Sequence, residues 1–178
     1  LSPYAVQKRT SELYAAIYPN LYSLETVCLR YFNVFGPRQD PNSEYAAVIP
    51  KFIRMIRTGT PPTIHGDGRQ TRDFTYVDDV VQANLSAMSS EVPPGSVFNI
   101  AGGSSCSITE LISSIAEICG NSPIVEHQPR ATGDVERTGG DVRRAAAQLG
   151  WTPRVDLIEG LQRQVAFVQQ GLLKGELS

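Results

Sequence analysis

The sequence predicts an α/β protein built on parallel strands, and three observations carry that prediction. Short runs of β-forming residues alternate with amphipathic helical stretches along the whole chain. Residues Glu25 to Val34 form a nearly continuous run of β-formers, the pattern of a strand buried on both faces. That run empties into Phe35-Gly36-Pro37-Arg38-Gln39-Asp40-Pro41-Asn42, a loop by its turn residues. In open α/β sheets ligands sit beyond the carboxyl ends of strands, so chemistry is expected there.

Taken in order, the first helix is expected from Pro3 to Tyr18, with Ser2 as N-cap, Pro3 at the first helical position and a stop at Pro19-Asn20. After the 25–34 strand, Val48, Ile49, Phe52, Ile53 and Ile56 recur at helical spacing, which predicts a helix from Ala47 to Arg57 ended by Gly59. Pro61-Pro62 leads a short strand, Thr63-Ile64-His65, and Gly66 to Arg72 reads as a glycine-punctuated loop. A strand from Asp73 to Val77 then feeds a helix capped by Asp78 or Asp79 and reaching Met88. Further along come a strand at Val97–Ile100, a helix at Ile108–Cys119 and a strand end at Pro123–His127. Residues 128–140 read as a polar loop, followed by helices at Asp141–Leu149 and Val155–Leu173. Gly102-Gly103 before the 108–119 helix, with Glu126 about twenty positions on, imitates a dinucleotide-binding unit. The third glycine is missing, its place filled by Ser104-Ser105-Cys106-Ser107, so a plain strand-to-helix turn is the better reading.

At 178 residues, 41% hydrophobic and 19% charged, the chain fits one domain or two lobes sharing a core. A net charge of −2 without a basic run argues against nucleic acid or a membrane surface as partner. No apolar stretch is long enough to cross a bilayer and no signal peptide is evident, so a cytoplasmic protein is expected. Three widely spaced cysteines, Cys28, Cys106 and Cys119, fit reduced thiols. His65 and His127 have no companions at ligand spacing, and no metal site is expected.

Tyr4 and Lys8 stand four residues apart at the start of the first helix, hence one turn apart on one face. A free phenol has a pKa of about 10, and a cation within roughly 4–6 Å favours the phenolate, so the pair suits proton transfer from a substrate hydroxyl.

Several stretches together carry a family resemblance: Ser2-Pro3-Tyr4-Ala5-Val6-Gln7-Lys8, Leu29 through Arg38, Ala47-Val48-Ile49-Pro50-Lys51-Phe52, Gly66-Asp67-Gly68 with Thr71 through Asp79, and Gly133-Asp134-Val135 with Leu149-Gly150-Trp151. In order and spacing the chain resembles the carboxyl-terminal half of an extended short-chain dehydrogenase/reductase of the NAD-dependent nucleotide-sugar epimerase/dehydratase kind, nearest the UDP-hexose and UDP-N-acetylhexosamine 4-epimerases. The resemblance implies the last part of a Rossmann-type doubly wound parallel sheet plus a smaller α/β substrate-binding domain. Residues 1–40 would be a remnant of the NAD-binding domain and 41–178 mainly the UDP-sugar domain, with 73–90 packing back on the cofactor sheet.

It also implies roles. Tyr4 would take the proton of the sugar 4-hydroxyl while hydride passes to NAD, the 4-ketose turning over before hydride returns to its other face. Lys8 would hold the nicotinamide ribose and acidify Tyr4, and Phe32 would touch the nicotinamide. Asn33 would meet the diphosphate-sugar, Ala47 and Val48 the lip of the uridine pocket, and Thr63, Ile64 and His65 the uracil. Arg72 would grip the diphosphate through a guanidinium fork, and Arg130 would assist it, although the family's arginine stands one residue nearer the glycine. Thr138 falls where hexose-restricted members carry a tyrosine and N-acetylhexosamine enzymes a small residue. Phe32 fits a core aromatic equally well, Arg72 a surface pair with Asp73 or Asp78, and Thr138 an ordinary loop residue.

The family's dinucleotide-binding strand, glycine loop and helix, and a Ser or Thr that polarises the sugar hydroxyl, lie upstream of its Tyr-x-x-x-Lys helix. The 178-residue chain alone is therefore expected to hold NAD poorly, to lack activity without an amino-terminal half, and to form a homodimer or other homo-oligomer. A non-catalytic UDP-sugar-binding or assembly module, and a nucleotide-sugar 4,6-dehydratase or reductase, are the alternative readings.

Overall fold

A computed structural model describes residues 3–40, 48–130 and 135–174. Helix α1, Pro3–Tyr22, continues through Pro19, one turn past the expected stop. A proline has no N–H for the carbonyl four residues back, so Ala15 would be left without its donor. Here the Thr26 hydroxyl donates to the Ala15 carbonyl at 2.7 Å, which removes that penalty. The helix ends instead at Ser23, where φ is 53° and the N–H donates to the Pro19 carbonyl at 3.1 Å. Ser2, expected as N-cap, lies outside the described residues.

The expected strand at 25–34 is two strands. β1, Val27–Tyr31, runs parallel to β6, Ser96–Ile100, whereas β2, Val34–Phe35, runs parallel to β5, Thr75–Tyr76. Between them Asn33 has φ 33°, a conformation asparagine tolerates better than most residues. The chain changes partners there: Phe32 N–H still donates to Ile100 O, while Asn33 O accepts from Thr75 N–H. The Thr75 hydroxyl donates to Phe32 O at 2.6 Å and closes the junction. β1 is not buried on both faces either; Arg30 and Tyr31 are exposed, because Arg30 turns out to meet Glu12 of α1.

Helix α2, Val48–Thr58, buries Ile49, Pro50, Phe52, Ile53 and Ile56. The short strand β3, Thr63–His65, lies parallel to β8, Glu126–Gln128. β4 spans Thr71–Asp73 and pairs antiparallel with β7, Ser105–Ser107, so Arg72 sits on a strand rather than in the expected loop. Helix α3, Val77–Met88, is not capped by Asp78 or Asp79; its N-cap is Tyr76, with no side-chain bond. Asp79 is buried and accepts from the Arg154 and Val155 N–H groups, while Trp151 Nε1 donates to its carbonyl. Helix α4, Ile108–Cys119, opens with a reciprocal box between Ser107 and Glu110 and closes on left-handed Gly120. Helices α5, Arg143–Leu149, and α6, Leu157–Lys174, complete the chain.

Two apolar clusters result. One gathers Val80, Ala83, Phe98, Ile100, Ala145, Leu149 and Trp151, joining β6 to α3 and α5. The other packs α2, α4 and α6 through Phe52, Ile53, Ile56, Leu111, Ile115 and Leu161. Helix α1 has no buried residue and is tied to β1 by charge. Glu12, 11% exposed, accepts from Arg30 Nη2 at 2.7 Å and Arg9 Nη1 at 2.6 Å.

The Arg30 guanidinium, with help from Arg9, holds the Glu12 carboxyl down to about 2 from an ordinary 4.5. Because the folded value is depressed, the stabilisation is present above 4.5 and is lost as pH falls through about 2. Arg30 is nearly half exposed, so the pair should contribute about 1 kcal/mol rather than what the shift alone suggests. In urea unfolding, Glu12→Gln should be less stable by that amount at neutral pH, and the gap should close on acidification. A gap that does not change with pH would contradict this account.

Candidate active and nucleotide-sugar site

Tyr4 and Lys8 lie on one exposed face of α1, with Lys8 Nζ 5.3 Å from the Tyr4 ring centroid. Both are open to solvent on a helix whose other apolar residues, among them Leu13, Tyr14, Ile17 and Leu21, are exposed as well.

A second group forms around β4. The Asn33 amide donates to the Asp73 carbonyl at 2.7 Å and reaches the Thr138 hydroxyl at 3.4 Å. Thr138 N–H donates to Thr71 O at 3.1 Å and Thr71 N–H to Glu136 O at 2.8 Å, so residues 136–138 run beside β4 as a short parallel addition. Arg72 stands between these contacts on β4, half-buried, and its Nη1 donates to Thr71 O at 2.9 Å. The Asp73 carboxylate bonds glycine amides and Asp78 faces Arg163, so both acids named as alternative partners of Arg72 have other company. Phe32 is half-buried against residue 140, where a Cβ would lie 2.9 Å from its Cε2. Phe32, Asn33, Arg72 and Thr138 are thereby brought together from widely separated parts of the chain.

Glu136 joins this group to a third, along β3 and β8. Its carboxylate pairs with Arg130 Nη1 at 3.1 Å, and the Arg130 stem lies beside Gly66 at the end of β3. Thr63 is half-buried and His65 exposed, its carbonyl accepting from Gln70 Nε2 at 2.9 Å. Ile64 is only 3% exposed and belongs to the core, so its side chain is occupied with packing. Val48, at the start of α2, is half-buried against the same core. Ala47, together with Gly133 and Asp134, lies outside the described residues.

The group that sequence reasoning missed is Asp73. Its side chain is 2% exposed, and its oxygens accept from the Gly102 N–H at 2.7 Å and, at the longer distance of 3.5 Å, from the Gly140 N–H. Burial pushes its pKa up, while the amides of Gly102, Gly140 and Gly103 pull it back. The glycine pair that imitated a phosphate loop does bind an anion, but the anion is the chain's own. An aspartate flanked by Arg72 reads as a surface ion pair, and only the two distant glycine pairs at 102–103 and 139–140 hinted otherwise.

Cys106 faces Arg72 across the β4–β7 pair, and burial, with Glu110 nearby, pushes its thiol up to about 11, so it is no nucleophile near neutral pH. All three cysteines are free. Among the described residues no set of three His, Cys, Asp or Glu is grouped to hold a metal ion, and no helix is long and apolar enough to cross a membrane.

The sequence profile of the NAD dependent epimerase/dehydratase family matches residues 1–101. UDP-glucose 4-epimerase of Mycolicibacterium smegmatis is 40% identical over 166 residues, which cover 93% of this chain and 52% of that protein. The structure of a UDP-glucose 4-epimerase from Thermotoga maritima with UDP-glucose superposes with a TM-score of 0.91 at 39% identity, covering 97% of this chain and 55% of that one. A UDP-N-acetylglucosamine 4-epimerase from Methanobrevibacter ruminantium, in complex with UDP-N-acetylmuramic acid, gives a TM-score of 0.88 at 40% identity, covering 95% and 54%. The chain thus spans about half the length of the relatives it matches.

The clamp around Asp73 makes Gly102 irreplaceable. A Cβ there would lie 2.1 Å from the Phe74 carbonyl oxygen, which is backbone and cannot step aside, so Gly102→Ala should destabilise the fold by about 2–3 kcal/mol. Gly120→Ala is the control: it meets nothing within 4 Å, and its left-handed backbone should cost about 1 kcal/mol. Equal losses in chemical denaturation would remove Gly102 from the argument.

Proposed function

Because the chain belongs to the NAD dependent epimerase/dehydratase family, we propose that it forms the nucleotide-sugar half of an enzyme that inverts C4 of a UDP-hexose or UDP-N-acetylhexosamine. The observation that carries this reading is the convergence of Asn33, Arg72 and Thr138 on β4. An amide, a guanidinium and a small hydroxyl side chain in one neighbourhood offer what a diphosphate joined to a sugar needs: bidentate charge-assisted contacts, a neutral donor, and room.

NAD is the family's cofactor and, when bound, supplies the hydride acceptor and donor. The chain's residues suit its nicotinamide end. Lys8 presents an ammonium beside Tyr4 for the ribose hydroxyls, and Phe32 is partly open to a planar ring. The glycine turn at 102–103 does not suit the pyrophosphate, since its amides already serve Asp73. Tyr4 removes the proton from the sugar 4-hydroxyl and returns one to the inverted alkoxide. Arg72, joined by Arg130, holds the diphosphate. Thr63, His65 and the backbone at Ile64 border the uracil, and Ala47 and Val48 form the lip of the uridine pocket. Residues 1–40 belong to the cofactor domain, 41–178 mainly to the sugar-nucleotide domain, and 73–90 to the seam between them. A binding module without turnover, or a dehydratase or reductase, shares Arg72 and Thr138 but not the need for both proton steps at Tyr4.

The exposed apolar residues of α1 support association with a second copy of the chain in the cytoplasm; analytical ultracentrifugation should find a dimer or larger species at micromolar concentration, and a monomer alone would contradict it. Losing a bidentate charge-assisted contact costs about 1.5–3 kcal/mol, so Arg72→Ala should weaken UDP binding about ten- to a hundredfold by calorimetry. Equal affinities would return Arg72 to a structural role. Thr138→Tyr should lower kcat/KM for UDP-N-acetylglucosamine relative to UDP-glucose by about tenfold or more, through overpacking at the C2 substituent. Equal losses for both sugars would show that Thr138 is not the gate.

A further inference from the structure

Like Asp79, Asp73 is a buried carboxylate that the chemistry above does not use. Burying a carboxylate costs several kcal/mol unless its lone pairs are met, so this residue is a poor choice for stability alone. A carboxylate does offer something its neutral isostere cannot: two oxygens that both accept. Here one oxygen takes the Gly102 N–H and the other the Gly140 N–H, joining the turn after β6 to the segment after Thr138. Both glycines are demanded by the same packing, since a Cβ at 140 would lie 2.7 Å from Ala101 Cβ and one at 102 would strike the Phe74 carbonyl.

What hangs on each oxygen differs. Arg72 is placed by its own strand, whose three register pairs with β7 do not involve the Asp73 carboxylate. Asn33 is held by the Asp73 carbonyl rather than the side chain. Residues 139 and 140 lead directly from Thr138, and Gly140 N–H reaches Asp73 Oδ2 at 3.5 Å. We infer that Asp73 is a positioning residue which fixes the Thr138 segment against the Arg72 strand, and so sets the space for the sugar independently of the grip on the diphosphate. The inference rests on the nucleotide-sugar reading of the site.

The test compares affinities for UDP, UDP-glucose and UDP-N-acetylglucosamine in the wild-type protein and in Asp73→Asn, whose amide can accept from only one of the two glycines. UDP affinity should stay within about threefold, while the advantage of either UDP-sugar over UDP falls about tenfold, the worth of one hydrogen bond to a charged group. Gly140→Ala pushes the same segment from its other side, should give the same selective loss, and decides the matter if Asp73→Asn does not fold. An equal loss for all three ligands, or none, would overturn the positioning role while leaving the nucleotide-sugar reading intact. A wild-type protein that binds none of the three would overturn that reading, and the inference with it.

Discussion

A carboxylate held between backbone amides is the interaction on which the rest of this structure turns. Asp73 sits 2% exposed at the end of β4, and the segments it gathers come from three distant parts of the chain: the β1–β2 junction at Asn33, the turn at Gly102 and the stretch at Gly140. The two glycine segments present backbone N–H groups that folding removes from water, and an unpaired buried amide costs about as much as a lost hydrogen bond. One acidic residue satisfies several of them at once. That the group carries charge matters less for stability than for geometry, because a carboxylate accepts from two directions and fixes the spacing between what it joins.

The break at Asn33 serves the same end. Had residues 25–34 remained one strand, Phe32, Asn33 and Val34 would share the β6 neighbour of β1. Instead the positive φ of Asn33 lets the chain leave β6 at Phe32 and take up β5 at Val34, which directs the Asn33 amide at the Asp73 carbonyl and Thr138. The two apolar clusters lie to either side of this crossing, one around β6, α3 and α5 and the other among α2, α4 and α6. A site at their meeting line is where an α/β fold places its ligands.

Much of this was legible in the sequence, and the misses have physical causes. Helix α2 and helix α4 announce themselves by apolar periodicity and caps, because each buries one face. The Tyr4–Lys8 pair needs only helical spacing to be read. Tertiary partners decided the rest. Pro19 signals a stop, and no local rule reveals that Thr26 will supply the missing donor. A three-residue strand such as Ser105–Ser107 carries no periodicity of its own, and Arg72 looked like loop because the pairing that makes it strand lies across the chain. Asp79 resembles a helix cap by position, yet its carboxylate is drawn to Arg154 and Val155, which only the packing of the α5–α6 connection against α3 brings near. The Tyr4–Lys8 pair and Arg72 were visible because each is local to a motif; Asp73 and Glu136 were not, because their contacts join distant segments.

The central claim is that the neighbourhood of β4, and not the glycine turn before α4, receives the nucleotide-sugar. The most direct measurement is a backbone NMR titration of the protein with UDP-N-acetylglucosamine. Shift changes concentrated at Asn33, Thr71 to Asp73 and Glu136 to Gly140, with a second set at Thr63 to His65, are the result this account predicts. Changes centred instead on Gly103 to Glu110, with residues 33, 72 and 138 unmoved, would place the ligand at the turn and contradict it.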